Sequence, residues 1–165
     1  IEVTGYTVTL DDRTKGAATR ADLEDGATYA PGHTFTVTCT QACVVAISTD
    51  NKATYTELTC IEVGENTYQF TVPENIDSDS LVLIALKGDV NLDGNVTAVD
   101  GIFIARYLLP ESDTRHFYLD QVTSLTADTN DVGGVTAVDK VFIARTLLPT
   151  NDTRRYVLTW NTSLK

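Results

Sequence analysis

Residues 89–110 read DVNLDGNVTAVDGIFIARYLLP, and residues 128–149 repeat the stretch as DTNDVGGVTAVDKVFIARTLLP. The copies are offset by 39 residues and agree at 19 of 31 positions over residues 89–119 and 128–158. Each copy opens with alternating oxygen-bearing side chains, passes through a glycine, closes on an aspartate and continues into apolar residues at helical spacing. This pattern predicts a calcium loop that leads into a helix, present twice in the chain.

The first loop has an oxygen ligand at every position that a twelve-residue calcium loop uses, and such a site needs about six to eight oxygens. The predicted ligands, at positions one, three, five, seven and twelve, are Asp89, Asn91, Asp93, Asn95 through its carbonyl, and Asp100. Gly94 at position six permits the sharp bend, and we expect Thr97 at position nine to act through a water. The alternative is a polar turn that caps the following helix and holds no metal.

The second loop keeps fewer ligands. Its predicted ligands are Asp128, Asn130, Gly134 through its carbonyl, and Asp139. Position five is Val132, which has no side-chain oxygen, and Asp131 lies beside it out of phase. Three outcomes stay open: Asp131 or a carbonyl fills the gap, the site binds calcium more weakly, or the loop keeps its shape without metal. We expect occupancy at millimolar calcium.

Helices are predicted directly after the loops, over residues 97–109 and 136–148, because apolar residues recur there with helical periodicity. Pro110 and Pro149 end them, since proline disfavours helical geometry in the preceding residue. A short third helix is expected at about residues 114–124. Four residues are expected in the core: Phe103, Ile104, Phe142 and Ile143.

Both loops differ from an ordinary EF-hand. They close on aspartate where the EF-hand has a bidentate glutamate, and no helix precedes the first loop. A calmodulin-type sensor is therefore not expected, because such a sensor opens a groove between paired helices.

Residues 1–87 are predicted to be all β, with an immunoglobulin-like sandwich as the fold. The predicted strands cover residues 3–10, 34–40, 43–49, 54–63, 67–72 and 81–87. Phe35, Val37 and Cys39 alternate with threonines, as a sheet with one buried face requires. The last strand reaches Gly88 without a polar linker, so residues 1–87 and 88–165 are expected to pack together as one rigid unit.

Composition excludes several classes of function. The net charge of −11 argues against nucleic acid or an anionic membrane as a partner, and no apolar run reaches the roughly 20 residues of a membrane span. Residues 1–87 carry 13 acidic and 5 basic side chains, against 10 and 7 in residues 88–165. Bound cations would bring the second part close to neutral, which suits contact with another protein.

Other features leave more than one interpretation. Cys39, Cys43 and Cys60 allow one disulfide with a free thiol, or three buried thiols. Trp160 is expected to pack in a core, with the C-terminus near the first loop. Because the chain starts at Ile1 without a signal-peptide pattern, we expect a mature or excised piece of a larger protein.

Paired DxNxDGxVxxxD-type loops, each followed by a helix, resemble the dockerin module of cellulosome-type assemblies, and the preceding β region resembles the X module that accompanies some dockerins. The resemblance implies a two-part molecule: a sandwich packed on an all-α dockerin with two calcium loop–helix (F-hand) repeats. It also implies a secreted or cell-surface bacterial protein that binds a cohesin and anchors its parent protein in a polysaccharide-degrading complex. Up to two calcium ions are implied, the second less firmly.

The resemblance also implies which helix residues contact the cohesin. In the first copy they are Ala98, Val99, Ala105, Arg106 and Pro110, to which the same helical face adds Ile102 and Leu109. In the second copy they are Ala137, Val138, Ala144, Arg145 and Pro149, with Val141 and Leu148. Because both sets are alike, a partner could engage either helix after about a half-turn of the module. Ordinary helix-start core for the Ala-Val pairs, and a solvated face for the arginines, are the alternatives.

Two other classes of function are weaker alternatives. A carbohydrate-binding sandwich would need exposed aromatic residues, and residues 1–87 contain no tryptophan and four tyrosines: Tyr6, Tyr29, Tyr55 and Tyr68. An enzyme is not expected, because His33 and His116 lie in different parts and no nucleophile–base or paired-carboxylate motif is present.

Overall fold

The structure is a computed structural model that describes residues 5–14, 18–20, 23–76 and 78–162. The described strands are β1 Tyr6–Asp12, β2 Ala18–Arg20, β3 Thr28–Tyr29, β4 Thr34–Cys39, β5 Cys43–Ser48, β6 Thr56–Glu57, β7 Cys60–Gly64, β8 Thr67–Thr71 and β9 Ser80–Leu86. The described helices are α1 Ala98–Tyr107, α2 Gln121–Ala127 and α3 Ala137–Thr146. The chain is therefore β-rich before residue 87 and helical after it.

The strands form two sheets, in the orders β3-β1-β9-β5-β6 and β2-β4-β8-β7. Neighbouring strands are antiparallel except β1 and β9, which pair in parallel with Leu10 opposite Val82. The first predicted strand begins at Val3, outside the described residues, and the short strands β2 and β3 were not predicted. Two packed sheets agree with the expected sandwich in outline, whereas its immunoglobulin-like class stays a prediction.

The predicted strand at residues 54–63 is wrong as a single element. It is divided into β6, which pairs with β5, and β7, which pairs with β8 in the other sheet. Between them the chain crosses from one sheet to the other, and Leu58 is buried there. Sequence alternation cannot reveal such a crossing, because both pieces have the same strand-like composition.

One hydrophobic core lies between the sheets. Phe35, Val37 and Cys39 of β4 face Val45 and other alternating apolar residues of β5 and β9. The predicted alternation in β4 is confirmed, since its threonines lie on the other face. All three cysteines of the chain are buried in this core, and none of them forms a disulfide.

The outer face of the five-stranded sheet is also buried. Val44, Ala46, Leu83 and Ala85 point away from the inter-sheet core, yet each is at most 1% exposed. Leu83 lines a cavity of about 330 Å³ together with Leu92 and Val122 from the helical part. Strands buried on both faces read as continuous apolar runs, as β5 and β9 do. The helical part thus covers this face of the sheet.

The helices begin and end close to their predicted positions. Thr97 and Thr136 are the N-caps of α1 and α3. The helices end at Tyr107 and Thr146, shortly before Pro110 and Pro149. The Thr97 hydroxyl accepts a hydrogen bond from the Val99 amide as part of this cap, and its water-mediated contact with an ion stays a prediction. The third helix lies later than predicted, because Asp120 supplies the N-cap that starts α2 at Gln121.

The chain returns to the sandwich after the second repeat. Trp160 stacks on Tyr68 of β8, with ring centroids 4.3 Å apart, and Thr162 forms a parallel bridge with Cys60. Core packing of Trp160 is confirmed, and that core is the sandwich. The C-terminal segment also passes the first loop, because Leu158 lies beside Gly88 and Val96. Within the described ranges no helix is long and apolar enough to cross a membrane.

Candidate functional site

The first loop is held in a tight turn by its own side chains. Asp89 is fully buried, and its carboxylate accepts hydrogen bonds from the amides of Asp93 (3.2 Å) and Gly94 (2.8 Å). Asn91 and Asp93 in turn accept from amides two residues further on. Gly94 has φ +88°, the left-handed conformation that glycine adopts without strain. These contacts gather the oxygen-bearing side chains on the inside of the turn.

Asp100 closes the loop and caps the helix. One oxygen accepts from the amides of Val90 (2.7 Å) and Asn91 (3.3 Å), and the other accepts from Thr97 (2.7 Å). Asp139 repeats this arrangement with the amides of Thr129 (2.8 Å) and Thr136 (2.7 Å). Both aspartates are fully buried. Each closing aspartate therefore takes part in a helix cap and keeps lone pairs on the same carboxylate for a cation.

The electrostatics of the first loop favour a bound cation. Burial raises the pKa of Asp89 to about 6, and repulsion from Asp100 adds to the shift. Burial also raises the pKa of Asp100. A dication would relieve both effects, and the donor set of carboxylate, amide and carbonyl oxygens fits calcium. Within the described ranges no cluster of three or more His, Cys, Asp or Glu side chains forms a metal centre by itself, so the fit depends on Asn91 and the Asn95 carbonyl as well.

The second loop shares the left-handed backbone conformation at positions four and six and has a different charge arrangement. Asp128 and Asn130 accept from the amide of Val132, at 3.3 and 3.0 Å, and the Val132 side chain is 67% exposed. Gly134 lies at position seven with φ +75°. Burial raises the pKa of Asp128, and repulsion from Asp139 adds to this. The oxygens of Asp128, Asn130, Asp139 and the Gly134 carbonyl again suit calcium.

Asp131 does not fill the gap at position five. Its carboxylate forms an ion pair with the Lys87 ammonium, with Nζ and Oδ2 2.6 Å apart. A direct replacement by Asp131, one of the open outcomes for this loop, would require this ion pair to break, because it holds the side chain at the junction between the two parts of the chain.

The predicted partner-binding residues lie on accessible faces of α1 and α3. Val99 is 46% exposed and Ile102 55%, and their counterparts Val138 and Val141 are 49% and 52% exposed. Ala98, Ala137, Ala144, Pro110 and Pro149 are also exposed, and Ala105, Arg106, Arg145, Leu109 and Leu148 are half-buried. The two faces therefore match in side chain and nearly match in exposure.

Behind these faces lies a small second core. Ile104 and Ile143 pack there with Val90 and Ala127. Phe103 and Phe142 are half-buried and pack on aromatic rings that follow each helix, Phe117 and Tyr156. The expected core positions of the two isoleucines are confirmed, and the phenylalanines lie at the core's edge.

Each partner-binding arginine also holds the turn that follows its helix. Arg106 Nε donates to the carbonyl of Arg115 (2.7 Å), and Arg145 Nε donates to that of Arg154 (2.6 Å). The repeated DTR sequence forms these turns through an aspartate–arginine pair, and this pair lowers the pKa of Asp113 to about 2. Both arginines therefore hold the turn after their helix in position. The sequence analysis predicted only a partner-binding or a solvated side chain at these positions.

Helices α1 and α3 pack against each other, and one contact joins equivalent positions of the two copies. Gly101 and Lys140 occupy equivalent positions in the two copies, and a Cβ at Gly101 would lie 3.6 Å from Lys140 Cγ. An approximate twofold relation between the helices would produce such a contact. Sequence reasoning also missed two exposed apolar residues on the helix ends, Leu108 (44%) and Leu147 (46%), although the repeated LLP sequence contains them.

Comparison with curated proteins and with solved structures gives no significant match. One family model, described as the Dockerin type I domain, matches residues 87–148. This span contains both loops and helices α1 to α3, and the accompanying X module is not part of the match. The resemblance of the paired loops to a dockerin module is therefore confirmed for residues 87–148.

Proposed function

We propose that the chain anchors its parent protein in a polysaccharide-degrading, cellulosome-type assembly, or on a bacterial cell surface, by binding a cohesin. A dockerin is in general a non-catalytic, calcium-dependent module that binds cohesin. The observation that carries the proposal for this chain is the pair of matching exposed faces on α1 and α3. The sandwich is proposed to serve the same non-catalytic assembly role.

Calcium has a structural role in this proposal. The first ion would be held by Asp89, Asn91, Asp93, Asp100 and the Asn95 carbonyl, and the second by Asp128, Asn130, Asp139 and the Gly134 carbonyl. Bound calcium neutralises carboxylates that otherwise repel one another, so folding and binding are coupled to the metal. Each loop leads directly into α1 or α3, and its closing aspartate caps that helix, so an ordered loop fixes the presented face.

We further propose that a cohesin binds in either of two orientations. The contact between the equivalent positions Gly101 and Lys140 supports a twofold relation between α1 and α3, which would present the same apolar stripe and the same arginine on each side of the module. A partner rotated by about a half-turn would then meet the same chemistry. Apolar area at the centre of an interface and arginine at its edge are features of protein–protein contacts.

Matched helix variants test both ideas. Val99→Asp with Ile102→Asp places two charges on the α1 face, and Val138→Asp with Val141→Asp does so on α3. In calcium-dependent pull-down and calorimetry against a panel of cohesins, each pair should weaken binding less than about tenfold, because the other face remains. All four changes together should weaken it by at least about a thousandfold, since a charge is costly in an apolar contact.

Two outcomes would contradict the proposal. Loss of binding in one helix pair alone would exclude two equivalent orientations. Full binding in the presence of a chelator, or by the fourfold variant, would exclude calcium-dependent recognition by these faces. Circular dichroism of each variant with calcium checks that the helices are intact.

The carbohydrate-binding alternative loses part of its basis in the structure. Tyr6 is 1% exposed, and Tyr68 is half-buried and stacked under Trp160. Two of the four tyrosines on which a sugar platform would depend therefore belong to the core or its edge.

A further inference from the structure

Position four of each calcium loop faces the sandwich. In the first loop this residue is Leu92, which lines the cavity between the two parts together with Leu83 of β9. In the second loop it is Asp131, which pairs with Lys87 directly after β9. Leu92 and Asp131 have nearly the same left-handed backbone conformation, with φ +58° and +55°. The two loops thus use one geometry to make two different contacts with the sandwich.

This geometry explains the least regular part of the duplication. Positions four and five read Leu-Asp in the first loop and Asp-Val in the second, so that the acidic and apolar residues exchange places. An apolar position four matches the Leu83 side chain, whereas an acidic one matches Lys87. The second loop thus lacks a ligand at position five and has at position four a carboxylate that pairs with Lys87.

Lys87 is built into the junction. Its side chain is fully buried, and Nζ donates to Asp131 Oδ2 (2.6 Å) and to the Thr159 carbonyl (2.5 Å). A buried ammonium group needs such partners, because removal from water otherwise costs several kcal/mol. The equivalent residue in the second copy is Thr126, which has no charge. Only the second loop therefore receives a cation from this position.

We propose that Lys87 is a fixed cation of the second calcium loop, which neutralises Asp131 and keeps it out of the metal site. The second loop then keeps its conformation without calcium and binds the ion more weakly than the first loop. This inference rests on the proposed calcium binding of the loops, and it does not depend on cohesin.

The test uses the full chain with Lys87→Met, which keeps the length of the side chain and removes its charge. Lys140→Met is the matched control, because Lys140 is an exposed lysine on α3, one residue beyond the second loop. Calcium titration calorimetry measures both sites, and amide hydrogen exchange in a chelator measures the order of each loop.

In the unaltered chain we expect two calcium sites of unequal affinity, and in the chelator slower exchange in the second loop than in the first. Lys87→Met should speed exchange of the Val132 and Gly133 amides at least about tenfold in the chelator. It should also tighten the weaker calcium site about tenfold, because a nearby positive charge is removed and Asp131 is released. Lys140→Met should change neither quantity by more than about twofold, since an exposed charge is screened by solvent.

A second variant keeps the test decisive if Lys87→Met does not fold. Lys87→Met with Asp131→Leu replaces the ion pair by an apolar contact like that of Leu92, and it should make the second loop as dependent on calcium for its order as the first. Unchanged exchange and affinity in the variants would overturn the proposal. The absence of a second bound calcium at about 10 mM in all of them would also overturn it. Failure of cohesin binding alone would overturn the proposed function and leave this inference intact.

Discussion

At the scale of single residues, burial in the metal loop destabilises the charged form of the Asp89 carboxylate. Its carboxylate is fully buried, and the amides of Asp93 and Gly94 offset only part of the lost hydration. Burial therefore raises the pKa of Asp89 to about 6 in the calcium-free chain, above the ordinary value of 3.8. A group whose pKa is raised by folding stabilises the fold when it is protonated. That contribution is present below about pH 4 and is lost as the pH rises through about 6.

Asp89→Asn tests this directly. In a chelator, the Asp89 contribution to the free energy of unfolding should fall by up to about 3 kcal/mol between pH 4 and pH 7, and the asparagine variant should lack this loss. At pH 7 with calcium the order reverses, because the variant has lost a ligand. Chemical denaturation at both pH values, with and without calcium, measures the difference. Equal pH profiles for the two proteins in the chelator would contradict the assignment.

At the scale of elements, one contact between α1 and α3 joins equivalent positions that carry different residues. Gly101 of α1 lies against the Lys140 side chain of α3, so the two copies differ at this contact. Two lysines at these positions would bring like charges together, and glycine opposite lysine avoids this. The exposed faces could stay alike while the contact between the helices diverged.

Gly101→Ala should raise the stability of the helical part. A Cβ there would make an ordinary van der Waals contact at 3.6 Å, and alanine favours the helix over glycine by about 0.5–1 kcal/mol. Thermal unfolding in saturating calcium measures the change. Gly94→Ala is the contrasting control and should destabilise, because its φ of +88° strains any residue with a Cβ. A loss of stability in Gly101→Ala would show that the helices cannot accommodate even a methyl group.

Element boundaries show where sequence patterns are reliable. The positions of α1 and α3 follow from residues within one loop–helix unit, since their caps and closing aspartates are three residues apart. The division of residues 54–63 into β6 and β7 was not predictable, because it depends on which sheet each piece joins. The start of α2 at Gln121 depends on the Asp120 cap, whose sequence signal lies outside the duplicated pattern.

At the scale of the whole molecule, the sandwich holds the dockerin module at both of its ends. The chain leaves β9 through Lys87 and Gly88, and it returns with Trp160 and Thr162 against β8 and β7. Between these ends, Gln121 of α2 exchanges hydrogen bonds with the backbone of Tyr55 (2.9 Å) and Ala53 (3.0 Å). The two parts are therefore expected to unfold together.

Trp160→Ala should destabilise the sandwich, although Trp160 follows the last helix in sequence. Its side chain is 8% exposed and packs against Tyr68 and Phe70, and loss of such a residue costs about 3–5 kcal/mol. Hydrogen exchange of β7 and β8 amides, with denaturation followed by circular dichroism, measures the effect. Val157→Ala is the control, because Val157 is 65% exposed and should have little effect. Unchanged protection of β7 and β8 would show that the two parts fold separately.

The sequence by itself determined the two loops, the two helices that follow them, the β-rich character of the first part and the dockerin resemblance. These features depend on contacts within about a dozen residues, which leave a repeating pattern in the chain. The tertiary structure alone decided the ion pair of Lys87 with Asp131, the return of Trp160 to the sandwich and the burial of the outer face of β5 and β9. The partners in these contacts lie far apart in sequence. Lys87 and Asp131 are separated by 44 residues, and Cys60 and Asn161, which form a hydrogen bond next to Trp160, are separated by 101. No local pattern records such a pairing, because only the packing of the two parts brings the side chains together.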